Sequence, residues 1–197
     1  MVTLQEYYDS KNIIPYEGHV KQIHQQISFI QSILKENACK NILEIGFNAG
    51  HSSELFLSFD KDIKVISFDI GEYDCVSMGK QFIDEKYPDR HELIWGDTQN
   101  TIPDFISSGN TKLYDLIFID GGHEYNIAKN DIINCKHLAH SKTIVLMDDT
   151  LNNKNWMKHW NYGPTRAWNE LKDKKFIKEL GSIDYQIGRG NSWGMYS

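Results

Sequence analysis

Acidic residues follow two apolar runs of this sequence, at the points where buried strands would end. The run LIFI ends at Asp120, which two glycines and His123 follow. The run TIVLM ends at Asp148 and Asp149. Like charges a few ångströms apart stay ionised only where protons or a cation compensate them, and oxygen ligands on a partly open site suit Mg²⁺. If the two strands are neighbours, the three carboxylates are predicted to hold a divalent cation.

His123 stands three residues beyond Asp120, at the mouth of this predicted site. Imidazole titrates near neutral pH, which suits a general base. A bound cation would lower the pKa of a hydroxyl group beside it. We therefore predict that His123 and Asp120 are the catalytic residues and that His123 takes the hydroxyl proton. A purely structural histidine is the alternative.

A third segment, LEIGFNAGHSS, follows the first apolar run and opens a helix. In parallel α/β sheets, ligands bind outside the carboxyl ends of the strands. Dinucleotide sites favour GxGxxG, because a pyrophosphate approaches both the backbone and the helix N-terminus. Here the glycines are Gly46 and Gly50, with Asn48 between them and His51 where a third glycine would fall. The pattern disfavours NAD, and Glu44 at the strand end favours a ligand that carries a positive charge.

The E-x-G-x-x-x-G spacing resembles motif I of class I S-adenosylmethionine-dependent methyltransferases. Asp69 ends the second apolar run, where such enzymes carry an acid that accepts both ribose hydroxyls. The segment GDTQNTIP (96–103) is similar to the adenine-binding segment of the catechol O-methyltransferase group. A tight turn at the glycines and a helix cap at Asp69 are the alternatives. The resemblance implies a donor site made of Glu44, Gly46, Phe47, Asn48, Gly50, Ser52, Asp69, Asp97, Thr98, Gln99 and Asp120.

The metal-dependent members of that group carry Asp at the tip of strand four, then Asp-Asn or Asp-Asp at the tip of strand five. Asp120, Asp148 and Asp149 match those positions. The resemblance therefore implies Mg²⁺-assisted methyl transfer from S-adenosylmethionine to a hydroxyl oxygen. These enzymes carry a lysine base where His123 stands, and DGGHxY also resembles bacterial sugar and antibiotic methyltransferases. Alternatively, one Asp of the pair caps the following loop and another binds the methionine amino group through water.

Composition limits the other classes of function. A formal charge of −6 disfavours binding to a polyanion such as nucleic acid. The three cysteines show no zinc spacing, which favours reduced, structural thiols. The N-terminus is too polar for a signal peptide, and no apolar run approaches membrane-spanning length. We therefore predict a cytoplasmic protein without nucleic-acid or membrane partners.

Apolar runs alternate with helical stretches between residues 41 and 149. This alternation favours a parallel sheet covered on both faces. We predict an α/β, Rossmann-like methyltransferase fold with a mostly parallel seven-stranded sheet, helices on both faces and an antiparallel C-terminal edge hairpin. The predicted core strands are 41–46, 64–70, 91–97, 114–120 and 142–149, and the predicted helices between them lie near 52–59, 76–87, 101–108 and 125–139.

A single domain is expected to account for residues 1–197. Residues 1–36 form a helical lid with an amphipathic helix near 19–36, residues 41–149 bind the cofactor, and residues 150–197 lie on the acceptor side, with a helix opened by Gly163 and Pro164 and then two strands. The oligomeric state, including a homodimer, stays open.

Aromatic residues are the candidates for an acceptor wall, with ordinary packing as the alternative for each. The polar loop after Asp149 favours a small hydrophilic acceptor, such as a sugar or glycan unit, over a flat catechol. A catechol-type enzyme, an NAD(P)-linked oxidoreductase and a non-catalytic cofactor-binding module are the other functions left open. The wall candidates are Tyr73, Trp156, His159, Trp160, Tyr162, Trp168 and Trp193.

Overall fold

A seven-stranded sheet lies at the centre of the computed structural model, which describes residues 2–15 and 18–197. Its strand order is β3-β2-β1-β4-β5-β7-β6. The first five strands are parallel, and β7 is antiparallel to both β5 and β6. The predicted fold class is therefore confirmed, including the C-terminal hairpin. The strands are β1 (Asn41–Ile45), β2 (Lys64–Asp69), β3 (His91–Trp95), β4 (Tyr114–Ile119), β5 (Ala139–Asp148), β6 (Ile177–Gln186) and β7 (Arg189–Tyr196).

In the described part of the chain, seven α-helices surround the sheet. Alternate residues of each buried strand face opposite layers, so Ile42 packs with α2, α3 and α4, whereas Leu43 and Ile45 pack with α5, α6 and α7. Both faces of the sheet are thus covered, as predicted. The helices are α1 (Leu4–Ser10), α2 (His24–Glu36), α3 (His51–Phe59), α4 (Asp74–Lys86), α5 (Thr98–Ser107), α6 (Tyr125–Cys135) and α7 (Tyr162–Asp173).

The register of the central strands brings the predicted acidic residues to one edge. Ile45 pairs with Ile119, and Ile119 pairs with Met147. The next residue after each of these strand positions therefore lies at the same level of the sheet. Asp120 and Asp148 follow adjacent strand tips for this reason.

Two predicted helices have wrong boundaries, and the strand expected from residue 142 begins earlier. The helix expected near 19–36 is interrupted at Ile23, which is extended (φ −121°, ψ 109°), so a 3₁₀ turn at Val20–Gln22 precedes α2. The helix expected over 125–139 ends at Cys135, and β5 already begins at Ala139 after a second 3₁₀ turn. The helix α1 lies within the segment predicted as a lid, in which Met1, Tyr16 and Glu17 fall outside the described residues.

The N-terminal segment is held on α3 by a buried carboxylate. Glu54 is 2% exposed. It accepts hydrogen bonds from the backbone N–H of Leu4 at 3.0 Å and from Lys86 Nζ at 2.8 Å, and it pairs with Lys21. Tyr8 adds a hydroxyl within 2.8 Å of the carbonyl oxygen of Cys75. Residues on both sides of the undescribed positions 16 and 17 are thereby fixed beside the glycine loop. Among the described residues, no helix is long and apolar enough to cross a membrane.

Candidate active site

Two cavities open side by side at the carboxyl ends of the parallel strands. The larger has a volume of about 530 Å³ and the smaller about 280 Å³. The two cavities share a wall, so ligands bound in them would lie next to each other there. That shared wall consists of Gly46, Asn48, Asp120 and His123.

The glycine loop after β1 is packed directly against the tip of β4. Gly46 has φ 89°, and a Cβ atom there would lie 2.0 Å from the carbonyl oxygen of Asp120. The next two backbone N–H groups, of Phe47 and Asn48, donate to one carboxylate oxygen of Asp69 at 2.9 and 2.7 Å. The left-handed backbone and the close approach both require glycine at position 46. Asp69 lines the smaller cavity and also fixes the loop, a function that the sequence did not predict.

The start of α3 forms another part of the larger cavity. Gly50 caps the helix in the left-handed region (φ 85°), over the ring of Phe47. Ser52 in the first helical turn lines the cavity. Backbone N–H groups at a helix N-terminus attract anions. This end of the cavity therefore suits a carboxylate.

Three side chains near the shared wall could hold a metal ion, and we name them the Asp-His cluster: Asp120, His123 and Asp149. One ligand atom of each lies within 4.8 Å of those of the other two. His123 Nε2 is 3.0 Å from Asp149 Oδ2. Asp149 Oδ1 is buried and has no hydrogen-bond partner among the described residues. The cluster thus offers hard donor atoms with coordination capacity to spare.

Asp148, predicted as a metal ligand together with Asp120 and Asp149, stands outside the Asp-His cluster. Asp149 has φ 54°, so the backbone turns and the two neighbouring carboxylates enter different surroundings. Asp148 is 3% exposed and accepts hydrogen bonds from Gln26 Nε2 at 3.0 Å and from Asn191 Nδ2 at 2.9 Å. It lines the larger cavity behind the cluster. The structure therefore brings Asp120, His123 and Asp149 together, whereas Asp148 is bound by Gln26 and Asn191.

Burial and neighbouring carboxylates raise the pKa of Asp120 and of Asp148. Burial raises the pKa of Asp148 to about 6, with a further contribution from Asp149. The pKa of Asp120 lies well above its usual range, first through burial and then through the charges of Asp148 and Asp149. Arg189 opposes both shifts with its positive charge. A single arginine does not balance three carboxylates, so either protons or a further cation would compensate the remaining charge.

The family model described as a methyltransferase domain matches residues 43–150, which is more than half of the chain. The protein belongs to this methyltransferase-domain family. A search of the curated proteins found no match. The expected resemblance to class I S-adenosylmethionine-dependent methyltransferases is therefore confirmed by the family and by the fold.

Solved structures with a similar fold cover most of this methyltransferase. An O-methyltransferase from Bacillus cereus in complex with S-adenosylhomocysteine has a TM-score of 0.76 and 15% identity, over 98% of this chain and 88% of that chain. TomG from Streptomyces achromogenes, involved in tomaymycin synthesis and bound to S-adenosylmethionine, has a TM-score of 0.73 and 16% identity, over 98% and 87%. A TDP-rhamnose 3′-O-methyltransferase of calicheamicin biosynthesis has a TM-score of 0.65 and 15% identity, over 88% and 81%.

Glu44, predicted to contact the donor, lies beneath the glycine loop and lines neither cavity. The alternation along β1 turns its side chain toward α3, where it is fully buried and accepts a hydrogen bond from Ser53 Oγ at 2.6 Å. Ser67 donates to the same oxygen and lies 2.9 Å from His91 Nε2. Burial raises the pKa of Glu44 and lowers the pKa of His91 to about 3. The His91 ring stacks on Phe47 at 4.9 Å, so this network supports the loop from below.

Gln99 is the second predicted donor contact that the structure directs elsewhere. Asp97 caps α5 by accepting from the backbone N–H of Gln99 at 2.9 Å, and both Asp97 and Thr98 line the smaller cavity. The Gln99 side chain instead donates to Asp131 Oδ1 at 3.1 Å and accepts from Asn130 at 2.8 Å. Because its amide is hydrogen-bonded to the buried carboxylate of Asp131, the Gln99 side chain does not reach the cavity wall.

Most of the predicted aromatic wall belongs to the core or to the outer surface. His159 and Trp160 line the larger cavity, and Tyr73 lines the smaller one. Trp168 is 1% exposed in the core, and Trp193 packs against Phe29. Two further candidates line neither cavity, namely Trp156 and Tyr162.

Three polar residues around Asp148 were not predicted from the sequence to belong to the site: Gln26, Arg189 and Asn191. Gln26 is completely buried on the apolar face of α2, at the spacing of Ile30 and Ile33. A glutamine on the buried stripe of an amphipathic helix is the signal that could have indicated a buried partner. Arg189 and Asn191 belong to a hairpin whose pairing with β5 follows from the sheet order alone.

Substitution of Gly46 tests the contact between the glycine loop and β4. Gly109 is a matched control, because it has φ 90° but a Cβ atom added there would have no atom within 4 Å. We expect Gly109→Ala to lose about 1–2 kcal/mol of unfolding free energy from backbone strain alone. Gly46→Ala should lose more and should also lose affinity for S-adenosylhomocysteine, as measured by denaturant unfolding and calorimetric titration. Equal effects of the two substitutions would contradict the contact.

Asp131 gives a pH-dependent prediction. It is completely buried, and burial raises its pKa to about 7 against hydrogen bonds from Thr98 and Gln99 that lower it. The unfolded value is about 3.9, so the folded protein holds a proton that the unfolded chain releases. The stabilising contribution is therefore full below about pH 4 and is lost as the pH rises through about 7.

Asp131→Asn should flatten the pH dependence of stability. Between pH 5 and pH 7, the unfolding free energy of the wild type should fall more steeply than that of the variant, by up to about 1.4 kcal/mol per pH unit. Denaturant unfolding at unit pH intervals measures this difference. Asp104→Asn, at an exposed position on α5, is the control and should follow the wild type. Parallel curves for wild type and Asp131→Asn would refute the shift.

Proposed function

We propose that the protein transfers the methyl group of S-adenosylmethionine to a hydroxyl of a small polar acceptor, such as a sugar or glycan unit, with the assistance of Mg²⁺ or another divalent cation. The observation that carries the proposal is the position of Asp120 and His123 on the wall shared by the two cavities, with Asp149 completing the Asp-His cluster. A donor that extends from the smaller cavity over this wall and an acceptor in the larger cavity would meet at these side chains. The O-methyltransferases among the structures of similar fold support this reading.

The donor would lie over β1, β2 and the shared wall. Asp69, Asp97 and Thr98 line the smaller cavity, which suits the nucleoside. Gly46, Asn48 and Gly50 with their neighbours Phe47 and Ser52 form the loop and helix start that suit the methionine part. When bound, S-adenosylmethionine supplies the electrophilic methyl group. The loop residues then hold it in a fixed orientation toward the larger cavity.

The residues present fit a hard divalent cation. Asp120 and Asp149 offer carboxylate oxygens, and the unpartnered Oδ1 of Asp149 is a buried acceptor that a cation would satisfy. Asp148 lies behind them and adds negative charge. A divalent cation held here would stabilise the ionised form of an acceptor hydroxyl.

His123 is the proposed general base. A carboxylate carries no proton, so the 3.0 Å contact with Asp149 Oδ2 requires the proton on His123 Nε2. The other ring nitrogen, Nδ1, would then accept the hydroxyl proton, and Asp149 would stabilise the imidazolium that results. The backbone is fixed as well, because a Cβ atom at Gly163 would lie 2.0 Å from the carbonyl oxygen of His123. The first turn of α7 thus packs against the loop that carries the base.

A polar acceptor agrees with the lining of the larger cavity. His19, His51 and Arg189 line it together with the acidic tips, and Trp160 provides a planar face on which a sugar ring can pack. The TDP-rhamnose enzyme of similar fold acts on a sugar. A catechol is the second candidate acceptor, favoured by the flat faces of His159 and Trp160, whose rings lie 4.9 Å apart.

Methyl transfer to an acceptor panel tests the function. The protein is incubated with radiolabelled S-adenosylmethionine and either TDP-rhamnose, methyl rhamnoside, catechol or 3,4-dihydroxybenzoate, with Mg²⁺ or with a chelator. We expect transfer to at least one acceptor and a loss of about 100-fold or more in chelator. Full activity in chelator would remove the metal from the mechanism. Failure to bind S-adenosylhomocysteine would refute the function itself.

His123→Ala should separate chemistry from binding. We expect kcat to fall about 10²- to 10⁴-fold, because general-base catalysis contributes on that scale. Affinity for S-adenosylhomocysteine, measured by calorimetry, should stay within about threefold, since a change of that size is under 1 kcal/mol. His137→Ala, at an exposed position, is the control. An unchanged kcat for His123→Ala would exclude His123 as the base.

A further inference from the structure

Arg189 lines the larger cavity but has no assigned role in the proposed methyl transfer. It begins β7, directly beside the tip of β5. Its Nη2 donates to Gln26 Oε1 at 3.2 Å. Among residues 2–15 and 18–197, no carboxylate oxygen lies within 4.0 Å of its guanidinium group. The nearby carboxylates therefore act on Arg189 by longer-range electrostatic attraction and not through a salt bridge.

Hydrogen-bond capacity is unused around this guanidinium. An arginine carries five N–H donors, and Arg189 Nε is buried without a partner in the described part of the chain. His19 lines the same cavity, and its Nδ1 is likewise buried without a described partner. The N-terminal segment crosses here, since a Cβ atom at Gly18 would lie 2.8 Å from Arg189 Nη1. An unpaired buried N–H donor is costly, and an oxyanion would satisfy that of Arg189.

The sheet order assigns this position to the acceptor rather than to the donor. The donor residues follow β1, β2 and β3, whereas Arg189 lies on β7, beyond β4 and β5. Neighbouring strands are about 4.8 Å apart, so β7 is about 14 Å from β1 across the sheet. The Asp-His cluster, at the tips of β4 and β5, lies between the two sides.

We propose that the acceptor carries an acidic group, a carboxylate or a phosphate, that Arg189 binds while the acceptor hydroxyl lies at the Asp-His cluster. Guanidinium groups bind such oxyanions through paired, charge-assisted hydrogen bonds. The inference rests on the proposed function, because it concerns the acceptor of that reaction. Arg189 is then a specificity-determining residue, and hydroxy acids or sugar phosphates are the substrate class.

Two matched pairs of probes test the proposal by calorimetry on the protein saturated with S-adenosylhomocysteine and Mg²⁺. One pair is 3,4-dihydroxybenzoate and its methyl ester, which tests a carboxylate. The other is rhamnose 1-phosphate and methyl rhamnoside, which tests a phosphate. We expect the acid of at least one pair to bind about 10-fold more tightly than its neutral partner, the effect of one charged hydrogen-bonded contact.

Variants then assign the preference to Arg189. Arg189→Met should reduce it to within about twofold, and Arg189→Lys should retain part of it because the charge remains. Arg189→Gln is a second charge-free variant that keeps a donor for Gln26, in case the methionine variant does not fold. Arg166→Met is the matched control, because Arg166 is exposed on α7 with its guanidinium 4.0 Å from the ring of Tyr125. It should keep the wild-type preference.

The outcomes separate this proposal from the function on which it rests. Equal binding of acid and neutral probes by the wild type, binding of none of the four, or an unchanged preference in the folded charge-free variant would overturn the acidic acceptor. Methyl transfer from S-adenosylmethionine to a neutral acceptor in the acceptor-panel assay would leave the methyltransferase function standing. Loss of S-adenosylhomocysteine binding in the wild type would instead overturn that function.

Discussion

The contact between Gly46 and the carbonyl oxygen of Asp120 is the constraint on which the site depends. It brings the loop after β1 against the tip of β4 with no room for a side chain. Asp69 holds the same loop from β2 through two backbone N–H groups. The walls of both cavities therefore meet at a point set by the backbone. Reacting groups held on either side gain most when their separation is fixed in advance.

Charge is distributed unevenly about that point. The tips of β4 and β5 carry three carboxylates, and the opposing cation, Arg189, comes from the antiparallel strand β7. Gln26 links the negative and the positive groups, because it donates to the carboxylate of Asp148 and accepts from the guanidinium group of Arg189. Such a buried polar network is stable only when its members are satisfied. The unpartnered oxygen of Asp149 and the unpartnered Nε of Arg189 are exceptions among the described residues, and the proposed cation and acidic acceptor would satisfy them.

Local patterns in the sequence predicted the parallel core, because each of its strands is an apolar run with a helix on either side. They also predicted the acids at the strand tips, since strand register follows from the sheet. The side chains of Glu44 and Gln99, both predicted to contact the donor, line neither cavity for a different reason. Which way a side chain turns depends on partners distant in sequence, such as Ser67 for Glu44 and Asp131 for Gln99. The separation of Asp148 from Asp149 depends on one left-handed residue, and no local pattern indicated it.

The order of the strands gives the two sides of the site different freedom to change. The donor side is built from backbone contacts of β1, β2 and β4, in which Gly46 tolerates no substituent. The proposed acceptor side would be built from side chains of the 150–162 loop and of the β6–β7 hairpin, which meet where Asn161 donates to the carbonyl oxygen of Gly188. Loops carry specificity more readily than strands because their side chains can change without loss of the core. A new acceptor could therefore be accommodated by residues such as Trp160 and Arg189 while the donor geometry stays intact.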